Sequence, residues 1–194
     1  AEIAAELSAI LALSALRHND KVGLILFSDR IEKFLPPQKG KNRAIQVIKE
    51  ILSFEPQGRG TDIAQVLKYL QKVITTRTVT FVVSDFLAEG FESTLRMAHR
   101  NHDIVPICIH DRREFELPQL GLIALQDLES GEYVMVDTNS TSVRQHYSQQ
   151  QLTASTQRRK VFQSLGLDSI EVRTDEKLVN PLLRFFRQRE QGRR

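Results

Sequence analysis

Tryptophan is absent from the 194 residues and cysteine occurs once. A single cysteine excludes an intrachain disulfide framework. Its place among Ile104, Val105, Ile107 and Ile109 makes Cys108 a small buried side chain rather than a reactive thiol, as expected of a reducing, cytoplasmic compartment. The five histidines are scattered, with no H-x-x-x-H or C-x-x-C spacing, so no zinc site is expected. No apolar run approaches the ~20 residues that span a bilayer, and the start lacks a cationic segment with a cleavage pattern; membrane insertion is not expected of this segment. An excess of one charge is also missing. The 27 Lys and Arg against 24 Asp and Glu leave a net charge of +3. Much of the visible bias lies in Arg158, Arg159, Lys160 and the arginines from Arg184 onward, too little to argue for nucleic acid. Neither a G-x-x-x-x-G-K-[ST] phosphate loop nor a G-x-S-x-G nucleophile elbow occurs, which removes the commonest nucleotide-binding and hydrolase signatures.

What is present is organised around T-V-T-F-V-V-S-D, Thr78 to Asp85. Val79, Phe81, Val82 and Val83 form a short β-branched and aromatic run between helix-patterned segments, the mark of a buried parallel strand. Ligands of open parallel sheets bind beyond the carboxyl ends of the strands, where Asp85 stands. The chain length suits one domain with a core of its own. Because Ala1 enters an uncapped helical pattern, the sequence is expected to be a piece of a longer chain.

In order, the pattern predicts a largely apolar helix from Ala1 to Arg17 and a strand from Val22 to Phe27. A short edge strand from Ile31 to Leu35 is expected to stop at Pro36-Pro37. A helix from Asn42 to Phe54 is followed by the Pro56–Gly60 loop and a helix from Thr61 to Ile74, with Thr61 as its cap. After the central strand come a weaker helix from Phe91 to Arg100 and a buried strand from Ile104 to Ile109. Asp111 to Pro118 reads as an acidic loop. Leu120 to Leu125 and Tyr133 to Val136, joined by Asp127 to Glu132, read as a hairpin added at the sheet edge. A polar helix from Ser140 to Leu165 stops at Gly166. A brief strand from Ile170 to Val172 precedes a helix near Asp175 to Arg189, which either kinks at Pro181 or begins there with Asn180 as cap. Strands alternating with helices predict a parallel-dominated α/β sheet covered on both faces.

Several stretches together carry a family resemblance. They are A-L-R-H-N-D-K-V-G-L-I-L-F-S-D (Ala15 to Asp29), G-R-G-T-D-I (Gly58 to Ile63) and F-V-V-S-D-F (Phe81 to Phe86), with D-x-x-E-x-x-L-P-x-x-G from Asp111 and D-x-E-x-G-E from Asp127. In order and spacing they resemble the carboxyl-terminal part of the family called domain of unknown function 58, whose core is similar to a von Willebrand factor A domain. The resemblance implies a three-layer αβα, Rossmann-like sheet with added edge strands, truncated at the amino terminus. It also implies a metal-ion-dependent adhesion site, in which a D-x-S-x-S loop, a threonine and an aspartate hold Mg²⁺ or Mn²⁺. Thr61 matches the threonine and Asp85 the aspartate, while D-x-S-x-S does not occur here. One hydroxyl and one carboxylate hold Mg²⁺ poorly, so the ion is expected in the full-length protein and not in this piece. Arg59, Asp62 and His110 are expected on the partner-binding rim around that site. The resemblance further implies a non-catalytic protein-interaction module working with a MoxR-type AAA+ ATPase. The rival reading is a metal-dependent nuclease or phosphatase using Asp85 on a doubly wound sheet, with Asp103 and Asp111 as further carboxylates.

Overall fold

The computed structural model describes residues 2–111, 115–126 and 133–192. Its central strand is β4 (Asp103–His110), an apolar run that is buried along most of its length. On one side β4 pairs in parallel with β3 (Val79–Ser84), in a register running from Val79↔Asp103 to Ser84↔Cys108. On the other it pairs in parallel with β7 (Ile170–Arg173), from Ile107↔Ile170 to His110↔Arg173. Pro106, in the middle of β4, precedes the first β7 pair, so it falls where a ladder is present on one side only.

Because side chains alternate across a strand, β4 feeds two cores. Ile104 and Cys108 face a cluster built with α3 (Ile63–Val73), α4 (Glu92–Asn101) and Phe162 of α5 (Thr141–Ser164). Val105 and Ile107 face a second cluster with Leu7 of α1 (Glu2–Arg17) and Leu182 and Phe185 of α6 (Val179–Gly192). Helices therefore cover both faces of a three-stranded parallel sheet, as the alternating pattern requires. Burial of Phe162, fully inaccessible to solvent, stabilises this arrangement by about 2–3 kcal/mol.

Four details differ from the sequence reading. The strand β1 (Val22–Phe27) pairs antiparallel with β2 (Ile31–Gln38) as a separate two-stranded sheet, and neither pairs with β3 among the described residues. Pro36-Pro37 does not stop β2: the strand continues to Gln38, past a register shift between Val22 and Leu24 that absorbs the prolines. The predicted hairpin exists as β5 (Leu122–Gln126) and β6 (Tyr133–Asp137), but it forms its own sheet instead of extending the parallel one. Its base is fixed by buried Thr138, whose hydroxyl donates to the Gly121 carbonyl and accepts from the Leu120 amide. Finally, α6 begins at Val179, so Pro181 lies in its first turn, where its missing N–H has no intrahelical partner to lose. The predicted connector Asp127–Glu132 and residues 112–114 of the acidic loop lie outside the described residues. The helix α2 (Lys41–Leu52) packs Val47 with Ala12 and Leu35 in a third, smaller cluster.

The amino end of β4 is tied to α6 by Arg189. Its Nη1 and Nη2 donate to the two carboxylate oxygens of Asp103, Nε donates to Asp168, and the guanidinium lies 4.7 Å from the Phe185 ring centre. The hydrogen bonds from Arg189 hold the Asp103 carboxyl below its usual range. A carboxyl depressed in the folded state stabilises above its unfolded pKa, and that contribution is lost as pH falls through the folded value. Replacing Arg189→Gln should cost about 1–2 kcal/mol after allowance for partial exposure, measured by denaturant unfolding at neutral pH. The difference from the native chain should begin to shrink as pH enters the ordinary carboxyl range, where the unfolded chain takes up its proton, and should vanish once pH has fallen through the lowered folded value.

Candidate functional site

The loop that carries Thr61 is held by a single carboxylate on β2. Glu32 Oε1 accepts from the Ser28 hydroxyl at 2.7 Å and from the backbone amides of Gln57 and Gly58, each at 3.0 Å. A further bond, from the Asp62 amide to the Ser28 carbonyl at 2.9 Å, fastens the loop to the carboxyl end of β1. Contact is close enough that a Cβ at Gly58 would lie 2.1 Å from Asp29 Oδ1 and 2.3 Å from Ser28 Oγ. The Pro56–Gly60 loop is thus clamped. Its Gly58 is explained by the approach of Ser28 and Asp29, which the sequence reading did not connect with it.

Asp62, not Thr61, caps α3: its Oδ1 accepts from the Gln65 amide at 2.8 Å. The helix begins at Ile63, two residues after Thr61, and an aspartate one place before the first helical residue takes the cap position. Thr61 is exposed beside it, and Arg59 is exposed on the same loop. Asp85 is exposed immediately beyond β3, where its Oδ1 accepts from the Leu87 amide at 3.1 Å. The turn after Asp85 is strained. Phe86 has φ +54°, a left-handed conformation that bulky residues rarely adopt, and is held there by ring contacts with Phe91 and Phe162.

The remaining candidate is not on a rim. His110 is only 7 % exposed, because it lies two residues from Cys108 on the same face of β4 and is covered by α5. Its Nε2 bonds Glu171 on β7, Arg158 Nη2 on α5 lies 3.2 Å from the same nitrogen, and Phe115 packs edge-on against the ring. Burial acts to raise the Glu171 carboxyl, but the His110 hydrogen bond and the nearby cationic charge outweigh it and hold the group below its usual range. Burial pushes the Cys108 thiol up to about 12, so it is protonated at neutral pH.

Among the described residues, Cys108, His110 and Glu171 form the one group of three or more His, Cys, Asp or Glu side chains whose ligand atoms converge; Asp62 and Asp85 are not in it. Asp103 is at the amino end of β4, the opposite end from Asp111, which separates two carboxylates of the rival enzyme reading by the length of a strand, about 20 Å or more. The sequence signal for the buried cluster was C-x-H on a strand. The third member comes from another strand 61 residues past His110, beyond any local motif.

Comparison with known proteins places the chain in a family. Residues 1–158 match the family described as "Protein of unknown function DUF58", and the chain belongs to it. It is 23% identical over 176 residues to "Uncharacterized protein Rv1480" of Mycobacterium tuberculosis, a match covering 89% of this chain and 55% of that protein. It is also 24% identical over 161 residues to "Uncharacterized protein MAV169" of Mycobacterium avium, covering 81% of this chain and 95% of the relative. The chain spans about half the length of the longer relatives. Two solved structures share the fold. The conserved hypothetical protein BatB of Bacteroides thetaiotaomicron superposes with TM-score 0.58 at 14% identity, covering 100% of this chain and 88% of its own. An aerotolerance-related membrane protein of Bacteroides fragilis superposes with TM-score 0.57 at 16% identity, covering 94% and 84%. No helix among the described residues is long and apolar enough to cross a membrane.

The clamp makes a local prediction. The Ser28 hydroxyl and the Gly58 amide hold the Glu32 carboxyl below its usual range, so the clamp is intact at neutral pH and is lost as pH falls through that lowered value. Replacing Glu32→Ala should accelerate hydrogen exchange at the Gln57 and Gly58 amides on the order of tenfold, since both lose a charged acceptor. In the native chain the same amides should lose protection only in acid, once pH has fallen below the ordinary carboxyl range.

Proposed function

We propose that this chain is part of a non-catalytic protein-interaction module of von Willebrand factor A type, whose full-length form holds Mg²⁺ or Mn²⁺ through Thr61 and Asp85. The observation that carries this reading is the presentation of two hard oxygen donors by two fixed loops: an exposed hydroxyl on the loop clamped by Glu32, and an exposed carboxylate ahead of the strained turn at Phe86. Oxygen donors suit Mg²⁺ and Mn²⁺, and preorganised loops lower the cost of assembling a coordination sphere. Two donors are too few for a six-coordinate ion. The remaining ligands are assigned to a D-x-S-x-S loop on a strand outside these 194 residues. The unpaired edges of β1 and β3 among the described residues are two places where such a strand can pair.

In this reading the ion keeps one position open for a carboxylate of a partner protein, so recognition needs both the metal and an acidic side chain. Exposed Arg59 beside Thr61 complements such a carboxylate. A MoxR-type AAA+ ATPase is the proposed working partner, on the strength of the family resemblance. The position of Asp103 at the far end of β4 speaks against a carboxylate-clustered hydrolytic site around Asp85.

Millimolar Mg²⁺ should raise the melting temperature of these 194 residues by less than about 1 °C and that of the full-length protein by several degrees. Thr61→Ala or Asp85→Ala should abolish the second shift together with metal-dependent capture of the ATPase. Cleavage of nucleic acid or a phosphate ester by the full-length protein, lost on Asp85→Ala, would instead establish the hydrolase. A shift in the full-length protein that survives both substitutions would move the metal elsewhere.

A further inference from the structure

We propose that Cys108, His110 and Glu171 form a second metal site, distinct from the Thr61–Asp85 rim, for a divalent transition ion of the zinc class. The sheet itself brings the three together. Cys108 and His110 are two apart on β4 and so share a face, and Glu171 is the register partner of Cys108 on parallel β7. One ligand atom from each, the thiol sulfur, an imidazole nitrogen and a carboxylate oxygen, lies within 4.8 Å of the others. Bonds of about 2.0–2.3 Å in a tetrahedral site place neighbouring donors about 3.3–3.8 Å apart, so small side-chain rotations suffice to close the shell. The donor chemistry selects the ion. A sulfur and an imidazole disfavour Mg²⁺ and Ca²⁺, and the mixed set with one open position matches zinc sites that have three protein ligands.

The surroundings point the same way. Cys108 is fully buried and His110 nearly so, under α5 and Phe115, which shields the donors from bulk water. Arg158, 9 % exposed, reaches into the cluster through Nη2, while its buried Nε has no hydrogen-bond partner among the described residues. A thiolate, a carboxylate and a divalent ion sum to zero, and the guanidinium adds one positive charge. A hydroxide or other anion in the open position neutralises that charge and supplies an acceptor for the guanidinium. On metal binding the Cys108 S–H bond is replaced by a sulfur–metal bond and its proton passes to solvent. Glu171 and neutral His110 donate lone pairs, any proton shared between them leaves as well, and no electrons are transferred.

Cobalt(II) is the probe, because thiolate ligation gives it an intense near-ultraviolet charge-transfer band that oxygen ligation does not. Titration of the full-length protein with Co²⁺ should produce that band, Zn²⁺ should displace it and raise the melting temperature, and Mg²⁺ should leave the band in place. Cys108→Ser should remove the band. Glu171→Gln keeps a hydrogen-bond acceptor for His110, and thermal melting checks its fold; it should weaken Co²⁺ binding about 10–100-fold. Absence of the band in the native protein, or a band of unchanged affinity in Glu171→Gln, overturns the three-residue site. The result is independent of the Mg²⁺ reading, since neither Thr61 nor Asp85 takes part.

Discussion

The parallel pairing of β4 with both its neighbours is the constraint on which the molecule depends. Each face of that strand belongs to a different core, so a one-residue slip would exchange Cys108 and His110 with Ile107 and Ile109 and spoil both at once. The same register that sorts apolar side chains into two layers also stacks Cys108 beside Glu171 and brings β3 to its end at Ser84, level with Cys108. Packing and placement of chemistry are here one event. The Arg189 fork to Asp103 fixes the opposite end of the strand against α6, so β4 is anchored at both extremities.

Much of this architecture was legible from periodicity. The apolar runs at Val22–Phe27, Thr78–Asp85 and Ile104–Ile109 announced the strands β1, β3 and β4, and the helical pattern from Thr61 to Ile74 announced α3. Sheet membership was not legible, because hydrogen-bond partners are chosen by the whole fold. Nothing local told β1 to pair with β2 instead of joining the parallel strands, or told the β5–β6 hairpin to stand alone. The cap of α3 was misplaced by one residue because Thr61 and Asp62 are both good capping residues, and their order against the first apolar position had to decide.

The candidate site divides in the same way. Asp85, Thr61 and Arg59 stand exposed on loops at strand and helix ends, where sequence position alone put them. The role of Glu32 was invisible. It reads as a charged residue alternating along an edge strand, and only the folded chain shows its oxygen gathering two amides from a loop 25 residues away. His110 was placed on the rim because strand ends in α/β sheets are usually open. The long α5 crosses above it and converts that end of β4 into interior.

The two prolines of β2 have a consequence for association. Successive N–H groups of a strand point to opposite sides, so consecutive imino acids delete one donor toward the solvent-facing margin of the β1–β2 ribbon, whichever of the pair lies outward. Foreign chains seeking to zipper onto that margin meet a gap in the ladder, which disfavours fibrillar stacking there. Growth of this ribbon by another segment is thereby directed to the far flank, along β1.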